Sequence, residues 1–160
     1  MNDETTLIAY VTRGKATKEA AELIGQVLRE DFELSVKLVN LKESTPKVKN
    51  YKNVIIGAGV RMGRVYKKAL KFMENDFSGK NVAVFLSSLE GGDEKSHEEA
   101  VEKYVKKEVK ARLNVEPVAA ETFGGRIEIF GFSVQDNIDR DKIRDWAKKL
   151  GEALSGTVKD

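Results

Sequence analysis

Four short apolar runs punctuate a chain that is otherwise patterned for helices, and they restrict its fold more than any other feature. They are "TLIAYVT" (6–12), "NVIIGAG" (53–59), "KNVAVFLSS" (80–88) and "EPVAAETF" (116–123). Runs this short, apolar on successive residues, read as strands covered on both faces. A fifth run, "ELSVKLVNL" (33–41), alternates apolar and polar residues and reads as a strand nearer a sheet edge. Helical stripes lie between the runs. Ala20, Leu23, Ile24, Val27 and Leu28 mark a helix over Ala16–Glu30, and Val65, Tyr66, Ala69, Leu70 and Met73 mark one over Gly63–Asn75. Val101, Val105, Val109 and Leu113 stripe a long helix, and Ile143, Trp146, Ala147, Leu150 and Leu154 stripe the closing one. "KESTPKVKNYK" (42–52) is loop-like with one helical turn, and "GGRIEIFGFSVQDN" (124–137) is irregular with a short strand. Strand–helix alternation predicts a parallel sheet between two helical layers, joined by right-handed connections, as a single domain over residues 1–160.

Composition narrows the function classes. The chain has 28 Lys and Arg against 26 Asp and Glu, a net charge of +2, which is too near neutral to argue for a nucleic-acid partner. There is no cysteine, so disulfides, thiolate metal sites, iron–sulfur clusters and thiol nucleophiles are excluded. "MNDETTLIAYV" lacks the basic start and long apolar run of a signal peptide, and no run has the length of a membrane span. The expected location is cytoplasmic. With His97 as the sole histidine, set among Ser and Glu, triad-type nucleophilic catalysis has no base, and no catalytic residue or metal ligand is expected.

In a sheet of this kind ligands bind beyond the carboxyl ends of the strands. Four segments fall there: Thr12–Thr17, Gly57–Gly63, Ser87–Gly92 and Thr122–Arg126. "TRGKAT" places hydroxyls, a glycine and two cations where a strand becomes a helix. That turn either caps the helix through Thr12 or Thr17, or presents hydroxyls and free amides to an anion. It is not an ATP-binding P-loop, which needs an upstream glycine and Ser or Thr directly after the lysine. Gly57, Gly59 and Gly63 have the wrong spacing and place for a dinucleotide fingerprint. A single phosphate held by Thr12, Thr17 and backbone amides is the remaining ligand reading. "GAGVRMG", "SSLEGG" and "TFGGRI" each admit a tight turn or a close backbone approach to a flat ligand, with Met62 suited to packing on a ring. Three such loops beside a phosphate-type turn point to a phosphorylated planar ligand.

These stretches together resemble the flavodoxin-like family, and within it the flavodoxin-domain group that includes the quinone-dependent protoporphyrinogen oxidases. The residues that carry the resemblance are "Y-x-T-R-x-x-A-T-x-E-x-A" (10–21), "VIIGAGVRMGRVYKKALKFM" (54–73), "VAVFLSSL" and "VAAETFGGRI". The resemblance implies a three-layer α/β/α sandwich with a five-stranded parallel sheet of order 2-1-3-4-5, and bound FMN. It implies that Thr12, Arg13, Gly14, Lys15, Ala16 and Thr17 hold the phosphate. Ala58, Gly59, Val60, Arg61, Met62 and Gly63 would surround the isoalloxazine and ribityl chain. So would Ser87, Ser88, Leu89, Glu90, Gly91 and Gly92, and Phe123, Gly124, Gly125 and Arg126. It implies an electron carrier that serves a redox partner protein or a small electron donor or acceptor. The alternatives are an FMN-dependent oxidase or reductase of the protoporphyrinogen oxidase type, and a flavin-free binding module. The longer oxidases carry an insertion before the last helix where this chain has only "EIFGFSVQDNI", which favours the carrier.

Overall fold

The computed structural model of the chain describes residues 6–11, 15–61, 64–87, 99, 101–123, 126–129, 132–136 and 138–155. Its strands are β1 (Thr6–Val11), β2 (Val36–Asn40), β3 (Asn53–Arg61), β4 (Arg64–Val65), β5 (Asn81–Ser87), β6 (Ala119–Phe123), β7 (Arg126–Ile129) and β8 (Phe132–Asp136). Its helices are α1 (Ala16–Phe32), a 3₁₀ turn (Val48–Asn50), α2 (Lys67–Phe72), a π-helical segment (Val101–Val109) and α3 (Arg140–Ser155). Five strands form the parallel sheet, in the order β2-β1-β3-β5-β6. Numbered among the parallel strands alone, this is the expected order.

Alternation along the strands divides the core in two. Leu7, Ala9, Val11, Val54, Ile56, Ala58, Val82, Val84 and Leu86 face α2, the π-helical segment and the connection through Val48 and Tyr51. Ile8, Tyr10, Ile55, Ala83, Phe85 and Phe123 face α1 and α3. Both faces of a central strand are therefore apolar, which explains why β1 is buried at every position. Side-chain amides hold the opposite end of the sheet in register. Asn53 donates from Nδ2 to Thr6 Oγ1 at 3.1 Å, and Asn81 donates from Nδ2 to Asn53 Oδ1 at 2.9 Å. Thr6, Asn53 and Asn81 are direct partners across β1, β3 and β5, so the three side chains form a rung that a one-residue slip would break.

The structure corrects four sequence readings. The second helix does not begin at Gly63; Arg64–Val65 is a strand antiparallel to the end of β3, and α2 starts at Lys67. Backbone pairing outcompetes helix propensity there, because Tyr66 N–H reaches Gly59 O at 3.3 Å. The long helix is π-helical over 101–109, as the Lys110 N–H bond to Val105 O shows. The segment 124–137 holds two paired strands, β7 and β8, with a register shift at Ile127/Glu128. The sheet also carries β4 beyond its five parallel strands.

Candidate functional site

The carboxyl ends of β1, β3, β5 and β6 and the first turn of α1 lie on one edge of the sheet. Lys15 is the N-cap of α1 and makes no side-chain cap bond. Glu19 N–H is the one that closes on the Lys15 carbonyl, at 2.8 Å. By helix geometry the amides ahead of it, at 16–18, point out of the helix end without an intrahelical acceptor. Thr17 lies inside this turn with its side chain wholly buried, and its Oγ1 has no hydrogen-bond partner. Capping by Thr17, the simpler reading of this turn, is thus not what the hydroxyl does. A buried hydroxyl without a partner costs about 1–3 kcal/mol. Amides without an intrahelical acceptor, a helix dipole and an unpaired hydroxyl together have the chemistry of an anion cradle.

Two more unpartnered hydroxyls lie at strand ends. Ser87 Oγ and Thr122 Oγ1 are both buried and make no hydrogen bond. Gly59 pairs with Ser87, and Leu86 pairs with Thr122. Among the described residues Thr17, Ser87 and Thr122 are the buried side chains with unsatisfied oxygens, and all three belong to this edge. Thr122 opens the fourth strand-end segment of the sequence, although the resemblance placed only residues 123–126 against the ring. Phe123 faces the α1/α3 side, so its neighbour Thr122 must face the other.

The structure places the remaining candidates as follows. Lys15 is exposed and Ala16 is buried at the start of α1. Ala58 and Gly59 are buried inside β3, and Val60 packs against the α2-side core. Arg61 ends β3, and Arg126 begins β7. Phe123 is buried among aromatic rings, 5.7 Å from Trp146 and 6.3 Å from Phe85 between centroids. Lys142 lies 5.9 Å over the Phe123 ring and donates from Nζ to Thr122 O at 3.2 Å, fixing the end of β6. Thr12, Arg13, Gly14, Met62, Gly63, Ser88, Leu89, Glu90, Gly91, Gly92, Gly124 and Gly125 lie outside the described residues, as does His97.

Tyr10 ends on the same edge, where burial pushes its phenol pKa up and the carboxylates of Glu22 and Glu43 add to the effect. Among the described residues no group of three His, Asp or Glu could hold a metal ion, and no helix is long and apolar enough to cross a membrane.

A parallel sheet of order β2-β1-β3-β5-β6, with a polar cradle at the first strand–helix turn, defines a flavodoxin-like α/β protein. The flavodoxin-domain family model matches residues 7–150, and the chain belongs to that family. Solved structures of similar fold include flavodoxin 1 of Bacillus cereus, at TM-score 0.63 and 18% identity, covering 97% of this chain and 99% of that one. The flavodoxin of Streptococcus pneumoniae TIGR4 aligns at TM-score 0.63 and 16% identity, over 96% of this chain and 99% of its own. The Fusobacterium nucleatum flavodoxin, solved bound to flavin mononucleotide, aligns at TM-score 0.59 and 20% identity, over 93% and 98% of the two chains. A search of curated protein sequences returned no match.

Proposed function

We propose that this chain is an FMN-binding electron carrier that holds the flavin at the edge formed by α1, β3, β5 and β6. The observation that carries the reading is the wholly buried, unpartnered Thr17 hydroxyl in the first turn of α1. A phosphate dianion there accepts from Thr17 Oγ1 and from the amides at 16–18, through charge-assisted bonds. Thr12, Arg13, Gly14, Lys15 and Ala16 complete the phosphate turn. Residues 58–63, 87–92 and 123–126 surround the ring and ribityl chain. Bound FMN supplies one- and two-electron redox chemistry. The chain's own residues bind and orient it and exclude water, and none is needed as an acid or base. The partner is a redox protein or a small donor or acceptor, met in the cytoplasm.

Absorption spectroscopy of the purified protein, reconstituted with FMN and with riboflavin, tests the reading. About one FMN per chain, held at least tenfold more tightly than riboflavin, is expected if one charge-assisted bond of about 1.5–3 kcal/mol goes to the phosphate. Equal affinity for the two flavins would remove the phosphate cradle, and failure to bind either would overturn the reading.

A further inference from the structure

Charge is unevenly distributed over this nearly neutral chain. Residues 41–52 and 64–75 carry eight cations, Lys42, Lys47, Lys49, Lys52, Arg64, Lys67, Lys68 and Lys71, against Glu43 and Glu74. That is a net +6, so the rest of a chain of net +2 is acidic. All eight cations are exposed. Both segments cover the same face of the sheet, because Val48, Tyr51, Ala69, Leu70, Phe72 and Met73 all pack into one core cluster. On α2 the buried positions are Ala69, Leu70 and Phe72, which leaves Lys67, Lys68 and Lys71 on the outer side. Glu74, the acidic residue that follows them, is engaged by Arg112, with Nε and Oε2 4.0 Å apart. Lys68 and Lys71 rim a cleft of about 420 Å³ between α2 and the 41–45 turn, with Leu41 and Phe72 among its lining.

The position of this face matters as much as its charge. Arg64 pairs directly with Arg61, and Tyr66 N–H bonds Gly59 O at 3.3 Å, so α2 departs from the strand end assigned above to the flavin ring. A partner seated on α2 is thereby held beside the edge through which electrons leave.

We propose that the cationic face of residues 41–52 and 64–75 is the docking surface for a redox-partner protein with a carboxylate-rich face. The proposal rests on the FMN-carrier reading for its purpose, while the docking itself requires only the charges. Opposite charge across an interface raises the encounter rate and selects among partners, and salt weakens both effects. A nucleic acid is the less suitable occupant, because the acidic remainder of the chain would repel an extended polyanion.

Two haem proteins of similar size and opposite charge serve as probes, acidic cytochrome b5 and basic cytochrome c. The FMN-loaded protein is reduced with dithionite, and one electron passes from reduced flavin to each ferric haem, which becomes ferrous. At about 20 mM salt the second-order rate with cytochrome b5 should exceed that of the variant K67E/K68E/K71E by tenfold or more. That ratio should collapse towards one at about 0.5 M salt, where the Debye length is only a few ångströms. The variant should gain rate with cytochrome c while keeping its circular dichroism and FMN content. K67Q/K68Q/K71Q, which removes charge without reversing it, should fall between the two. Equal rates for wild type and both variants with cytochrome b5 would overturn the proposal, as would tighter low-salt binding of a duplex DNA than of cytochrome b5. Direct binding of cytochrome b5 to flavin-free protein separates the two readings. Loss of FMN binding with charge-dependent docking intact overturns the carrier, and FMN binding without charge-dependent docking overturns only this surface.

Discussion

Gly57 lies directly opposite Phe85 across β3 and β5, and a Cβ built on Gly57 would sit 2.1 Å from the Phe85 Cζ. The ring thus occupies the space a side chain would need. This glycine, which the sequence left as part of either a tight turn or a close backbone approach to a ligand, serves the packing of the α1/α3 core. Gly57→Ala is expected to destabilise the fold by about 1–3 kcal/mol through overpacking. Urea unfolding measures the loss, and Phe85→Leu in the same chain should recover part of it. A Gly57→Ala variant as stable as wild type would show that the ring can move aside freely.

Helix α1 ends on Glu33 in the left-handed conformation, with φ of 54°. Glu33 N–H bonds Arg29 O at 3.1 Å, the 5→1 bond of an αL helix stop, and Leu34 N–H bonds Leu28 O at 3.1 Å. Glycine adopts this conformation without the Cβ penalty. Glu33→Gly should therefore raise the unfolding free energy by about 1 kcal/mol. Thermal denaturation checks the sign, and a lower Tm would refute it.

Thr17 tests the site and the fold in opposite directions. In flavin-free protein its hydroxyl is buried and unpaired, so Thr17→Val should leave stability unchanged or raise it by about 1 kcal/mol. With FMN the same variant loses a bond to the phosphate, and affinity should fall about tenfold or more, with a smaller loss for riboflavin. Flavin fluorescence titration gives both constants. A variant that is destabilised without flavin and binds FMN normally would make Thr17 a structural residue only.

Asp76 fastens the turn after α2 to the distant Asn114. It accepts from Ser78 Oγ at 2.6 Å, from Ser78 N at 3.0 Å and from Asn114 Nδ2 at 2.8 Å. The Ser78 hydroxyl and amide, then Asn114, hold its carboxyl down to about 2 from an ordinary 3.8. A depressed carboxylate pKa stabilises the fold above the unfolded value, and that contribution is lost as pH falls through the folded value. The stability difference between wild type and Asp76→Asn should therefore be constant from neutral pH down to about 5 and shrink steadily as pH falls from there through about 2. Urea midpoints across that range measure it, and a difference as large at pH 2 as at pH 5 would discount the ionised carboxylate.

Local pattern was enough to place the parallel strands and the helices α1 and α3. Uniformly apolar runs such as Leu7–Val11 have no polar face to expose, so they must be central in a covered sheet. The helix stripes of α1 and α3 are likewise properties of sequence spacing, and Ala20, Ile24, Leu28, Ile143, Ala147 and Leu150 are all in the core. The turn proposed to hold the phosphate stands out in the sequence for a related reason: a strand end, hydroxyls and a helix start are consecutive in the chain. What tertiary structure decided was each feature whose partner is remote. Gly57 answers to Phe85, β3 runs on through its glycines because β5 offers Ser87 to pair with Gly59, and Val65 joins a strand because Val60 faces it. Neither the orphaned hydroxyls nor the shared face of residues 41–52 and 64–75 could be read from spacing. Hydrogen-bond satisfaction and surface charge depend on which segments the sheet brings together, and that follows from backbone pairing between residues far apart in the chain.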